Sequence, residues 1–166
     1  MKNIIKELCP YIVVLAVVIL LKIYIIAPVQ VNGDSMNSTL QSSDIMILNK
    51  IGYELNGVKR FDIVVIKNEG KHLIKRIIGL PGEIVKVSDN KLYINGEEID
   101  EPFLDEDTFT NDFELKEKIP EGYYFVMGDN REISLDSRVL GLFSEDDIEG
   151  KANFTLFPFT RFGFKD

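Results

Sequence analysis

The sequence predicts a mainly β domain of antiparallel sheets, preceded by one apolar N-terminal helix. Three observations carry that expectation. The run from Leu8 to Ala27 is apolar with Lys22 as its charged interruption. Beyond Pro28, the apolar residues fall in short β-branched stretches between turn residues, not at helical spacing. Between two such stretches stands Asn95-Gly96, the pair that favours a type I′ hairpin turn.

Taken in order, the first element is a membrane anchor. About 20 apolar residues in a helix span roughly 30 Å, the thickness of a bilayer core. Lys22 and Tyr24 lie near the far end of the run, where a long cationic chain and a tyrosine ring suit the interface. Lys2 and Lys6 precede the run, and no Lys or Arg follows it before Lys50. That asymmetry predicts residues 1–7 in the cytoplasm, 8–27 across the membrane and 28–166 outside it. A cleaved signal peptide is the alternative. It needs a shorter apolar core and small residues before the cut, whereas this run has Ile25 two residues before Ala27 and Pro28 directly after it. The retained anchor is therefore expected.

The predicted strands are 45–48, 63–66, 73–78, 84–87, 91–94 and 123–127. Glu97–Ile99 forms the second arm of the Asn95-Gly96 hairpin, and Asp89-Asn90 marks a turn before the first arm. Residues 83–122 form a hairpin and excursion, of which the acidic stretch 101–117 is expected to be exposed. Near the C-terminus, Phe154, Phe157, Phe159, Phe162 and Phe164 fit either strand packing or an apolar face against the bilayer. About 140 residues beyond the run are enough for one compact domain.

A formal charge of −8 argues against nucleic acid as a partner. The one cysteine, Cys9, cannot form an intrachain disulfide. No Cys/His cluster offers a metal site, so neither metal nor cofactor is expected.

Hydrolytic chemistry is suggested by Ser35, in Gly33-Asp34-Ser35-Met36. It follows Ala27 by eight residues, at most about 29 Å of extended chain. A serine hydroxyl needs a base. His72 is the one histidine; it precedes Lys75 by three residues, which on a continuous strand points the two side chains to opposite faces. Lys75 is the better candidate. Leu73, Ile74, Ile77 and Ile78 bracket it, and burial lowers a lysine pKa. A drop of roughly 2 pH units corresponds to about 2.7 kcal/mol. A solvated strand lysine beside Arg76 is the alternative at this position.

Gly33-Asp34-Ser35-Met36 with Thr39-Leu40 is followed in order by three further stretches. These are Lys59-Arg60-Phe61-Asp62-Ile63-Val64-Val65, Lys75-Arg76-Ile77-Ile78-Gly79-Leu80-Pro81-Gly82 and Gly128-Asp129-Asn130-Arg131. Together they closely resemble the type I signal peptidases, from the apolar run to about Gly141. The resemblance implies a mostly β fold with a Ser–Lys dyad, Ser35 as nucleophile and Lys75 as general base. It implies secretory preproteins as substrates, cut after small-x-small sites, with the lipid bilayer and the export machinery as further partners. Ser134 matches the serine that hydrogen-bonds the base. Asp136 and Arg138 match a charged pair bracing the site, and Gly128 a glycine on the strand behind it; Asp129, Asn130 and Arg131 are expected to support that loop. Three positions depart from the family pattern: Ser38 replaces a usual proline, Phe61 a usual glycine, and Gly33 stands where some members carry a serine that helps bind the oxyanion. The Ser35 N–H is then the main oxyanion donor. Met36 fits a substrate-pocket wall or the plain core.

Two rivals remain for comparison. A self-cleaving repressor shares the Ser–Lys pair but has a DNA-binding unit where this chain has an apolar run, and the −8 charge disfavours DNA. A catalytically silent or substrate-dedicated relative would act in binding or assembly of surface proteins; the presence of both Ser35 and Lys75 argues against the silent form.

Overall fold

The computed structural model describes residues 2–24 and 26–165. Helix α1 (Lys2–Tyr24) is followed by strand β1 (Ile26–Gln30), β2 (Ile45–Asn49), helix α2 (Lys50–Asn56), β3 (Ile63–Asn68) and β4 (Lys71–Gly79). Then come β5 (Val85–Ser88), β6 (Lys91–Ile94), β7 (Glu97–Ile99), β8 (Phe113–Glu114) and β9 (Tyr123–Met127). Helix α3 (Ser137–Leu140), β10 (Phe143–Ser144), β11 (Ile148–Phe157) and β12 (Gly163–Phe164) complete the chain.

All strand pairs are antiparallel. The larger sheet has the order β1-β2-β11-β3-β4-β9-β10, with β12 on β11; the smaller is β7-β6-β5-β8. Strand β3 is central, and Ile63, Val64, Val65 and Ile66 are all 0% exposed. They serve two cores: Ile63 and Val65 pack with Met36, Leu40 and Ile74, whereas Val64 and Ile66 pack with Ile77 and Val126. An unbroken apolar strand is what burial on both faces demands. A third core joins the sheets through Ile78, Val85, Leu92, Ile119 and Phe125.

Several expectations are corrected. The apolar run does not continue as one element to Ala27: the helix ends at Tyr24, and Ile26 and Ala27 pair with Asn49 and Leu48. Apolar composition suits helix and strand alike, and the β2 ladder decides between them here. Among the described residues no helix is long and apolar enough to cross a membrane. The side chains of α1 from Leu8 to Ile19 are exposed. Strand β11 is ten residues long yet weak in sequence, because its inward positions include Gly150, Ala152 and Thr155, not bulky apolar groups. The stretch 101–117 is not simply an exposed excursion, since Thr110 is 3% exposed and Phe103 packs on the domain.

The C-terminal aromatics pair edge to face, Phe154 with Phe162 and Phe164 and Phe157 with Phe159. Phe157, Phe159, Phe162 and Phe164 nevertheless remain exposed, more than core packing would leave them.

Candidate active site

Ser35 sits on the turn that leaves β1 for β2. Asn37 N–H donates to the Asp34 carbonyl at 3.1 Å and Leu40 N–H to the Met36 carbonyl at 2.8 Å. Met36 and Leu40, 1% and 0% exposed, pin this turn into the core and leave Ser35 half-buried beside them. Gly33 precedes it with φ +93°, a backbone conformation suited to glycine, and brings no side-chain donor. Met36 borders the active-site cleft but lies mainly in the core. Ser38 is exposed on the same turn.

Lys75 lies on β4, paired with Val64 of β3. It is 2% exposed, and its Nζ donates to Ser134 Oγ at 3.2 Å. Desolvation lowers its pKa from 10.5 to about 8; Asp136 and Asp129 oppose that shift, and Arg138 assists it. Ser35 and Lys75 open on one cleft of about 750 Å³, walled by residues 27–33 on one side and 71–75 on the other.

The loop after β9 supports both residues. Gly128 follows the strand's last residue, Met127, so it stands just past the strand and not on it. A Cβ there would collide with the Ser35 carbonyl oxygen and the Ser134 hydroxyl, so this approach requires glycine. Asn130 N–H donates to the Ser35 carbonyl at 3.1 Å. Asp136, 0% exposed, accepts from Gly128 N–H at 3.0 Å and from Arg138 Nε and Nη2 at 2.9 and 2.8 Å. Burial alone would raise the Asp136 pKa. The Arg138 hydrogen bonds, the Gly128 N–H, the Ser134 hydroxyl and the Arg138 charge outweigh it and hold the carboxyl below its ordinary range.

Two ion pairs in this region lie beyond what the sequence revealed. Arg76 grips Asp129 through Nε and Nη2 at 2.9 and 2.7 Å, and its guanidinium lies 3.8 Å over the Phe103 ring. Arg76 Nη1 also donates to the Phe61 carbonyl at 3.0 Å. Phe61 has φ +69°, the left-handed region that favours glycine, and its ring meets Phe103 edge-on at 5.0 Å. Arg131, fully buried, donates from Nε to the Gly128 carbonyl at 3.1 Å and from Nη1 to Glu101 Oε2 at 3.1 Å. Asp129, Asn130 and Arg131 thus all make structural contacts in the loop. Glu101 and Phe103 carried no local sequence signal, because their partners lie about thirty residues away in the chain.

His72 stands at the cleft rim, exposed, with Nδ1 2.8 Å from Glu149 Oε2 as its hydrogen-bond partner. Among the described residues no group of His, Cys, Asp and Glu is arranged to hold a metal ion.

The comparisons agree on one family. Residues 2–157 match the model described as signal peptidase, peptidase S26. Signal peptidase I of Bacillus caldolyticus is 37% identical over 169 residues, covering 94% of this chain and 93% of that protein. Signal peptidase IB of Staphylococcus aureus (strain MRSA252) is 38% identical over 180 residues, covering 96% and 94%. A crystal structure of a signal peptidase I from Enterococcus faecalis V583 superposes with a TM-score of 0.51 at 38% identity, covering 57% of this chain and 95% of that one.

Proposed function

The chain belongs to the signal peptidase family, peptidase S26, and on that premise we propose that it is a Ser–Lys endopeptidase that removes signal peptides from exported preproteins after small-x-small sites. The observation that carries the mechanism is Lys75: buried, depressed to a pKa of about 8, tethered to Ser134 and opening on the same cleft as Ser35.

The substrate lies extended along β4. Pairing of β4 with β9 begins at Arg76, so the edge from Lys71 to Lys75 is free to take an added strand. Neutral Lys75 accepts the Ser35 proton as Oγ attacks the scissile carbonyl, forming the C–O bond. The Ser35 N–H, which makes no hydrogen bond among the described residues, donates to the oxyanion. Collapse breaks the C–N bond, and the Lys75 ammonium returns its proton to the departing amine. A water molecule then gives a proton to Lys75 as its oxygen attacks the acyl carbon; collapse breaks the bond to Ser35 Oγ, the Lys75 ammonium returns the proton to Oγ, and the signal peptide leaves as a carboxylic acid.

The exposed apolar side chains of α1, among them Ile12 and Val14, support holding the N-terminus in a bilayer. Lys2 and Lys6 ahead of the apolar run favour a cytoplasmic N-terminus and an outer catalytic domain that meets preproteins at the export machinery. The exposed rings of Phe157 and Phe164, in the same sheet as β1, and of Phe159, packed edge-on against Phe157, add apolar surface for that bilayer.

The test is cleavage of a secretory preprotein by the full chain in detergent, beside Ser35→Ala and Lys75→Ala. Cutting after small-x-small, lost in both variants, supports the reading. Cutting that survives in Lys75→Ala names another base, and a folded parent that cuts no preprotein overturns the peptidase assignment.

A further inference from the structure

Basic residues outnumber acidic ones in the lining of the cleft, although the chain carries a charge of −8. Its charged lining is Lys50, Lys71, His72, Lys75 and Glu149. Lys75 belongs to the chemistry. Lys71 stands four residues before it on β4, about 13 Å away at roughly 3.3 Å per residue. The even spacing puts both lysines on one face of the strand. Lys71 is exposed, and it has no ion partner among the described residues. The one carboxylate in the lining, Glu149, is already engaged by His72 at 2.8 Å.

The cleft also has a direction. From Ser35 back to Ala27, and from Lys75 back to Lys71, both walls run toward the end where α1 leads into β1. A preprotein whose apolar signal segment lies beside α1 approaches from that end. With its scissile carbonyl at Ser35, an extended strand on the free β4 edge brings its fourth or fifth upstream side chain to Lys71, because substrate and strand share the same rise.

We infer that this end of the cleft is an anion-selecting subsite centred on Lys71. It favours preproteins carrying Asp or Glu four or five residues before the cut, just ahead of the small-x-small motif, and disfavours Lys or Arg there. The inference rests on the peptidase reading above and adds a substrate preference to it. An acidic side chain is favoured over an anionic lipid headgroup as the occupant, because Lys71 lies on the free strand edge where a peptide docks and shares the face of the catalytic lysine.

The experiment compares peptides that differ only in Glu, Gln or Lys at the fourth position before the cut, with a second set varied at the fifth. They are cleaved by the full chain in neutral detergent at low salt. One set is expected to show kcat/KM for Glu over Lys of about fivefold, the size of one partly exposed charge contact. Lys71→Glu should bring that ratio below one, and a ratio does not depend on how much of the variant is folded. Equal rates for Glu and Lys in both sets, or an unchanged ratio in Lys71→Glu, overturns the subsite. Equal rates together with weaker binding of Lys71→Glu to anionic vesicles would give the positive charge to lipid headgroups instead. If the Gln peptides are not cut at all, the peptidase reading itself fails.

Discussion

Lys75 Nζ donates to Ser134 Oγ at 3.2 Å, a contact between residues 59 positions apart in the chain. Ser134 is itself 8% exposed and belongs to the loop that carries Asp136. In the proposed mechanism that contact orients the amine as the base for Ser35. Ser134→Ala should lower kcat roughly ten- to hundredfold while leaving KM within about twofold, because orientation of a base acts on the chemical step. Steady-state kinetics on a preprotein substrate checks this.

The pH profile follows from the same lysine. Only the neutral amine can accept a proton, so kcat/KM should rise with pH to a midpoint near 8, losing about tenfold per pH unit below it.

The burial of Lys75 also costs stability. Its folded pKa of about 8 lies below the ordinary 10.5, so the unfolded chain holds the extra proton between those values. Stability therefore rises with pH across that window, and below pH 8 the buried ammonium costs about 3 kcal/mol. Lys75→Met should be inactive yet melt higher than the parent at pH 7, with the gap closing as pH approaches 10.5. Thermal denaturation across pH checks the sign.

Gly128→Ala should damage fold and activity together. The added carbon would collide with the Ser35 carbonyl and the Ser134 hydroxyl, pushing apart the two loops that frame the site. About 3 kcal/mol of destabilisation is expected from such overpacking, with a loss of about a hundredfold in kcat/KM from displaced reacting groups. Denaturant titration and single-turnover cleavage separate the two effects.

Glu101→Gln should lower Tm by about 9 °C, since it leaves the buried Arg131 guanidinium without its countercharge at a cost of about 3 kcal/mol. Glu106→Gln, on the exposed part of the same acidic stretch, should change stability by less than about 0.5 kcal/mol. Parallel melting curves of the two variants check whether the stretch is tied down at one end.

The strands legible in the sequence are those whose partners are large and apolar. Ile63–Ile66 and Lys91–Ile94 announced themselves through β-branched residues and a hairpin turn, and they occur as expected. Strand β11 did not, because Gly150 and Ala152 fill inward positions where a bulky residue would have signalled a strand. Nor could the end of α1 be read, because Ile26 and Ala27 are as apolar as the helix before them. Around the site, Ser35 and Lys75 stood out through their local motifs. The roles of Glu101 and Phe103 did not, because they touch Arg131 and Arg76 across about thirty residues of chain.

The sequence by itself determined which chemical groups are present, in what order, and the preference of most segments for strand. Tertiary structure alone decided that Lys75 is desolvated, that Ser134 is its partner, and that Gly128 lets the Ser35 backbone and the Ser134 side chain come close to it. The physical reason is distance along the chain. Strand preference and turn chemistry act between near neighbours, whereas burial and hydrogen bonding at this site join segments that meet only when the sheets close around them.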